Sequence, residues 1–254
     1  MSHKSTLRVI PKLEIKEEYV VKGFQFEGVK KIDFPEVIAK KYYKDNADEL
    51  IFIDTVASLY GRNSLYDVIK KTAEKVFIPM TVGGGISSIE DIRKFLNSGA
   101  DKVAINTYAT KDKRFLKIAA ETFGSQCIVL SVQAKKLNGN YFALTDNARE
   151  NSGMLVHEWC EEAQNLGVGE VLISSVDQDG SKTGFDNELI SLLNNKIRVP
   201  LIFNGGAGKK EDVLDLVKIN LCDAISCASL FHYNLCDIIT LKQYLNNNKI
   251  NVRI

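Results

Sequence analysis

Glu49-Leu50-Ile51-Phe52-Ile53-Asp54 and Glu170-Val171-Leu172-Ile173-Ser174-Ser175 are two short, nearly continuous apolar runs, each opened by a glutamate. They stand about 120 residues apart, close to half the chain. Other segments repeat at the same offset. Ile78-Pro79…Gly83-Gly84-Gly85 answers to Val199-Pro200…Gly205-Gly206, and Asp101-Lys102-Val103-Ala104 answers to Cys222-Asp223-Ala224-Ile225. A repeat at half the chain length means two copies of one supersecondary unit, and the nature of that unit fixes the architecture.

Outward from these segments, the chain alternates short apolar runs with longer amphipathic ones. The short runs are Arg8–Ile15, Glu49–Asp54, Ile78–Val82, Lys102–Ile105, Ile128–Val132, Glu170–Ser175, Val199–Phe203 and Ala224–Cys227. Runs of Val, Ile and Leu without polar alternation are the pattern of parallel strands covered on both faces. Between them lie helical patterns. Ser64 stands before Leu65, and Ser88 stands before Ile89 with Glu90 and Asp91 in the first turn. Later patterns span Phe115–Phe123, Val156–Leu166, Asn187–Leu193, Lys210–Val217 and Ile238–Leu245. Eight strand–helix units at about 30 residues each fill residues 1–254 as a single domain. The fold class is therefore α/β, a (β/α)8 TIM barrel with two-fold half-barrel symmetry. An open doubly wound sheet is the alternative, but no GxGxxG follows the first strand. Two hairpin-like extensions, Lys16–Lys31 and Lys136–Ala143 with Asn138-Gly139 as its turn, occupy matching places in the halves. Both follow strand ends on the face where barrel active sites form.

Composition narrows the function. Lys plus Arg is 33 and Asp plus Glu is 32, a balance that argues against nucleic acid or a membrane surface as partner. The five cysteines are odd in number and lack CxxC spacing, so they read as free thiols of a reducing, cytoplasmic setting with no metal site. Met1 to Thr6 is short and polar without an apolar run behind it, so it does not read as a signal peptide, and no apolar stretch is long enough to span a membrane. No cofactor is implied.

Glycine-rich turns mark an anion site. Gly84 and Gly85 follow strand three, and Asn106-Thr107 follow strand four. Gly205-Gly206 follow strand seven, Ser229 follows strand eight, and Asp179-Gly180 follow strand six. Glycine lets backbone N–H groups approach an anion closely, and Asn, Thr and Ser add hydrogen bonds. One such loop is a weak signal. Two clusters half a chain apart point to a ligand with two phosphates, or one phosphate and another anionic end, lying across the barrel mouth.

Taken together, Arg8-Val9-Ile10, Val20-Val21-Lys22-Gly23, Val82-Gly83-Gly84-Gly85-Ile86, Ile105-Asn106-Thr107, Phe123-Gly124-Ser125-Gln126, Asp177-Gln178-Asp179-Gly180, Gly205-Gly206-Ala207-Gly208 and Asn251-Val252-Arg253 resemble the HisF family, the cyclase subunit of imidazole glycerol phosphate synthase. The resemblance covers essentially the whole chain. It implies a glutaminase partner (HisH-like) in a heterodimer, ammonia entering the barrel from below, and a bisphosphorylated ribulosyl aminoimidazole ligand above. It further implies an ammonia gate at Arg8, Glu49, Lys102 and Glu170, with Asp101 facing the glutaminase on the same rim. By chemistry alone that ring reads equally as a stabilising salt-bridge network. Lys22 and Asp54 match further site positions, although Asp54 also reads as a structural hydrogen-bond acceptor.

The chain departs from the family at the two catalytic aspartates, whose positions hold Glu14 and Gln133. Glu14 keeps a carboxylate but moves it outward by one methylene. Gln133 has no useful proton affinity near neutral pH and cannot be a general acid or base. Asn204 and the run Asn147-Ala148-Arg149-Glu150 differ as well. The pattern is similar to paralogues of glycan biosynthesis, where barrel and glutaminase supply ammonia to a sugar-amidating enzyme. An ordinary lyase cyclase of histidine biosynthesis, and a scaffold that activates a glutaminase without chemistry of its own, are the alternative readings.

Overall fold

A computed structural model describes residues 6–57, 65–219 and 221–254. Residues 1–5 and Ser64 lie outside them. In chain order the strands are β1 (Arg8–Lys16), β2 (Tyr19–Phe24), β3 (Glu27–Asp33), β4 (Leu50–Asp54), β5 (Met80–Gly83), β6 (Lys102–Ile105), β7 (Ile128–Leu137), β8 (Asn140–Thr145), β9 (Glu150–Leu155), β10 (Glu170–Ser175), β11 (Leu201–Asn204) and β12 (Ala224–Cys227). Eight of them pair in parallel in the cycle β1-β4-β5-β6-β7-β10-β11-β12, and β12 returns to β1. The closed barrel with helices between its strands is the architecture the repeat implied.

β5 and β11 begin two residues later than the apolar runs do, at Met80 rather than Ile78 and at Leu201 rather than Val199. The cause is Pro79 and Pro200, which have no N–H to give a ladder. Their carbonyls still accept, from Leu50 N–H at 2.9 Å and Val171 N–H at 3.0 Å. A carboxylate then takes the first N–H of each strand, Asp101 at Met80 (2.8 Å) and Asp223 at Leu201 (2.9 Å). The two halves solve the same problem with the same residues.

Strand alternation sorts side chains between two cores. Ile10, Ile51, Ala104, Val129, Leu172, Ile202 and Ala224 form an apolar layer inside the barrel. Val9, Leu13, Phe52, Val103, Leu130, Val171, Phe203 and Ile225 point outward into the larger core beneath the helices. Helix Ile89–Asn97 starts as the sequence indicated: Ser88 accepts from Asp91 N–H at 3.1 Å, and Asp91 accepts from Ser88 N–H at 3.0 Å.

Both extensions are longer than the sequence suggested. The first is the antiparallel pair β2–β3, ending at Asp33, and the second adds a third strand, β9. Asn138 and Gly139 sit at φ 49° and 84°, the left-handed pair of a two-residue hairpin turn. The first hairpin turns at Gln25 (φ 49°) and Phe26 (φ 66°) without a glycine, which costs about 1–2 kcal/mol per residue.

The lysine-rich run Lys40–Lys44 lies on the helix Pro35–Lys44, and Tyr42 within it is buried. The helical period turns Tyr42 inward beside Ile38 and Ala39, where its ring stacks on His232. The Lys12 carbonyl, which can only accept, lies 3.1 Å from His232 Nε2 and so places the proton there. Nδ1 then accepts from the Tyr42 hydroxyl at 2.6 Å.

Burial lowers the His232 pKa to about 4. Since the unfolded chain takes up this proton near its ordinary value, about 6.5, stability falls as pH drops through the window between 6.5 and 4. Urea unfolding should show a loss of about 2 kcal/mol between pH 7 and pH 5 in the native protein, and a clearly flatter dependence in His232→Gln.

Candidate functional site

Arg8, Glu49, Lys102 and Glu170 come from four different strand starts and close a ring across the bottom of the barrel. Arg8 reaches Glu49 at 2.6 Å and Glu170 at 2.8 Å, and Lys102 reaches Glu49 at 3.1 Å and Glu170 at 2.8 Å. Every member has two partners of opposite sign. Burial disfavours the charged guanidinium of Arg8, but the two glutamates outweigh it and raise its pKa. Asp101 sits on the same rim, its side chain tied to the start of β5.

The apolar layer lies above this ring, and polar side chains line the barrel above that. Ser174 and Asn204 hydrogen-bond at 3.1 Å. Within the apolar layer, Thr81 Oγ1, in register with Ile51 and Lys102, and Ser226 Oγ, in register with Ile10, are buried with no hydrogen-bond partner among the described residues. The barrel interior is thus ionic at the base, apolar in the middle and polar toward the mouth.

At the mouth the two glycine clusters fall into separate cavities. Gly84, Gly85, Asn106 and Thr107 line one of about 180 Å³, together with Asp54, Ser131 and Gln133. Asp179, Gly180, Gly205, Gly206 and Ser229 line one of about 10 Å³, together with Lys22 and Ser226. Gly84 and Gly205 are mates of the half-barrel repeat, both at φ 105°. A Cβ at Gly84 would meet the Asp54 carbonyl, and one at Gly205 would stand 2.9 Å from the Ser175 carbonyl, so glycine is required by space as well as by φ. In the smaller cavity Ser229 Oγ is buried without a hydrogen-bond partner among the described residues.

The two altered acid–base positions are held in different ways. Gln133 Oε1 accepts from Ala148 N–H at 2.7 Å and faces Asn106 Nδ2 at 3.4 Å. Asp146, Asn147 and Ala148 are successive left-handed residues (φ 49°, 57° and 64°), anchored at the other end by Thr107 Oγ1, which accepts from Asp146 N–H at 3.0 Å. The Gln133 amide is therefore a fastener for the turn between β8 and β9. Asp54 Oδ1 accepts from the N–H groups of Val56 and Ala57, each at 2.9 Å, which is a structural use of that carboxylate.

Glu14 sits within a buried chain of four charges. Lys12 Nζ contacts Glu14 Oε1 at 2.9 Å, Lys22 Nζ contacts Glu14 Oε2 at 2.9 Å, and Lys22 continues to Asp179 at 2.7 Å. All four side chains are 2–5% exposed. Burial pushes the Glu14 pKa up, but Lys12 and Lys22 together overcome it and bring it to about 2. The hairpin tip covers this chain. Gln25 donates from its N–H to the Asp179 carbonyl and from its amide to the Asp177 carbonyl, and the Phe26 ring lies beneath both ammonium groups, 5.2 Å from Lys12 and 5.9 Å from Lys22.

The structure thus brings Glu14, Lys22, Asp179 and Gly180 together on one side of the mouth, with Gln133, Asn106, Thr107 and Asp54 on the other. Lys12 and Ser226 are missing from the residues singled out by sequence. The signal for Lys12 was present, since positions 8, 10, 12 and 14 of β1 share the inward face by strand alternation. Among the described residues no three His, Cys, Asp or Glu side chains gather in a way that could hold a metal, and no helix is long and apolar enough to cross a membrane.

A family model described as "Histidine biosynthesis protein" matches residues 8–237. The "Imidazole glycerol phosphate synthase subunit HisF" of Legionella pneumophila is 48% identical over 209 residues, covering 82% of this chain and 99% of that protein. The HisF subunit of Clostridium beijerinckii is 43% identical over 251 residues, covering 98% of this chain and 99% of its own. That of Sulfolobus acidocaldarius is 39% identical over 247 residues, covering 97% and 98%.

Removing one acid from the basal ring leaves both of its cations short of a partner. Glu170→Gln should lower stability to urea by about 3 kcal/mol, the low end for a broken buried pair because Arg8 and Lys102 keep some water. A loss under about 0.5 kcal/mol would mean that the ring does not hold the barrel base together.

Proposed function

The chain belongs to the HisF family of histidine biosynthesis proteins, and from that premise we propose that it is a HisF-type subunit of a glutamine amidotransferase complex that serves amidation of a sugar in glycan biosynthesis. A HisH-like glutaminase docks on the lower rim at Asp101 and releases ammonia beneath the ring of Arg8, Glu49, Lys102 and Glu170. The ring is the gate. Ammonia crosses the apolar layer as the neutral molecule and reaches the mouth, where a phosphorylated ligand is held by Gly84, Gly85, Asn106 and Thr107 on one side and by Asp179, Gly180, Gly205, Gly206 and Ser229 on the other.

The observation that carries this reading is the pair Glu14 and Gln133. Cyclisation as the family runs it needs proton transfer at both positions. Gln133 cannot supply one, and its oxygen is occupied by Ala148 N–H. Glu14 is displaced outward and already accepts from two ammonium groups. The gate and the glycine loops keep their residue types while the acid–base pair does not, which fits a barrel that delivers nitrogen to a separate acceptor enzyme.

A second reading, an authentic imidazole glycerol phosphate synthase cyclase, is favoured by one specific observation: 43% identity across nearly the whole length of a HisF subunit. The two readings separate in one assay. Incubated with an ammonium salt and the bisphosphorylated ribulosyl aminoimidazole intermediate, the protein should turn over at least about a hundredfold more slowly than ordinary cyclases, the scale set by losing one positioned proton-transfer group. Turnover within about tenfold of them would establish the second reading instead.

A further inference from the structure

Lys12 is a charge in the upper barrel to which the proposed function assigns no role. It lies on β1 midway between the apolar layer and the mouth and is 3% exposed. A lysine in such a place is costly unless its charge is matched. Its match is Glu14, at 2.9 Å, on the same inward face of the same strand. Glu14 has one oxygen on Lys12 and the other on Lys22, so neither oxygen lacks a cationic donor.

From this arrangement, and resting on the reading that the chain is a HisF-type barrel with altered proton-transfer groups, we infer that Lys12 is a positioning residue that silences Glu14. Its ammonium group holds the strand-one carboxylate ionised and turned along the barrel axis, so that this carboxylate neither gives nor takes a proton at the mouth. The loss of cyclase chemistry then has two separate causes. Gln133 lacks a titratable group, and Glu14 has one that Lys12 makes inert. A carboxylate with a single lysine partner still exchanges protons when the lysine shifts toward the ligand. With a second lysine behind it, the carboxylate stays ionised even then.

The charged groups around Glu14 support this. Lys12 comes from its own strand, Lys22 from β2, Asp179 from the loop after β10, and His232 from the helix Ser229–His232. Burial keeps His232 neutral, while Asp179 is engaged by Lys22 through both oxygens, at 2.9 and 2.7 Å. Of the two cations, Lys12 pairs with Glu14 alone among the described residues, whereas Lys22 also pairs with Asp179. Removing Lys12 therefore changes Glu14 most directly, at the cost of one ring contact with Phe26, while the pair of Lys22 with Asp179 and the hydrogen bonds of Gln25 still secure the hairpin.

The test follows the Glu14 carboxyl carbon by NMR in the intact protein, together with ammonium-dependent cyclase turnover. In the native protein the Glu14 signal should stay at its ionised position from about pH 7 down to about pH 3. Lys12→Met should move its midpoint up by at least about one pH unit, and Lys12→Arg should return it to the native behaviour. Gln133→Asp alone should gain little cyclase turnover, and Lys12→Met with Gln133→Asp should exceed it by at least about tenfold. A native Glu14 that titrates in the ordinary carboxylate range overturns the inference. So does a Gln133→Asp variant as fast as the double variant, and either result leaves the proposed function standing. Native turnover at the ordinary cyclase rate sinks the proposed function itself. Should Lys12→Met fail to fold, the same shift is required of Lys12→Gln, and the native titration decides by itself.

Discussion

A charge taken into a barrel needs a partner of opposite sign at hydrogen-bond distance, because desolvation costs several kcal/mol per ion. That constraint organises the interior of this protein. Three of the four inward positions on the first barrel strand are charged: Arg8, Lys12 and Glu14. Each is answered within 3 Å, by Glu49 and Glu170 at the base, and by one another and Lys22 nearer the mouth. Ile10 stands between them in the apolar layer. The resulting order from base to mouth is ion pairs, then hydrocarbon, then ion pairs. It is the most specific feature of the molecule, because single substitutions at either ionic level leave an unmatched charge.

The two halves of the barrel start from the same plan and diverge at the mouth. Pro79 and Pro200, Asp101 and Asp223, and Gly84 and Gly205 occupy equivalent places and do equivalent work. Above them, the hairpin of β2 and β3 folds over the second glycine cluster, and its tip residues Gln25 and Phe26 adopt left-handed backbone at a cost that hydrogen bonds to Asp177 and Asp179 and the lysine–ring contacts offset. On the other side, the turn at Asp146–Ala148 is pinned by Gln133 and Thr107 but leaves a cavity of about 180 Å³ beside the first cluster. Glu14 and Gln133 thus became components of two different closures, one ionic and one made of neutral hydrogen bonds.

Much of this was legible in the sequence for identifiable reasons. The barrel could be read because parallel strands buried on both faces are apolar throughout and because the repeat fell at half the chain. The basal ring was implied by the family resemblance, which picked out the charged residues that open four of the apolar runs. Strand starts at Pro79 and Pro200 were misplaced because hydropathy does not register a missing N–H. Tyr42 stands among three lysines in the sequence, so its burial is not evident from local composition, and only the helical period turns it toward His232. Lys12 was overlooked for a similar reason. A lysine inside an apolar run looks like an interruption at the surface, whereas strand alternation places it on the face of Arg8 and Glu14. The pairing of Lys22 with Asp179, 157 residues away, depends on the closure of the barrel and on the hairpin, and no local pattern carries it.

The apolar layer gives the two ionic levels different meanings under the proposed function. Ammonia is small and neutral and can cross a layer of Ile, Leu, Val and Ala side chains, whereas ammonium would have to shed its hydration with nothing charged to replace it. Whatever crosses from the base must therefore already be neutral as it passes the basal ring, whose glutamates are held in ion pairs by Arg8 and Lys102. Above the layer the situation reverses. A neutral amine arriving near Lys12 and Lys22 meets cations whose protons are held by Glu14 and Asp179, so it is not reprotonated at the cost of breaking a buried pair. A mouth built of satisfied ion pairs is a poor place for proton transfer and a good place for a nucleophile to remain uncharged. The same pairing that removes Glu14 from acid–base chemistry keeps the delivered nitrogen reactive.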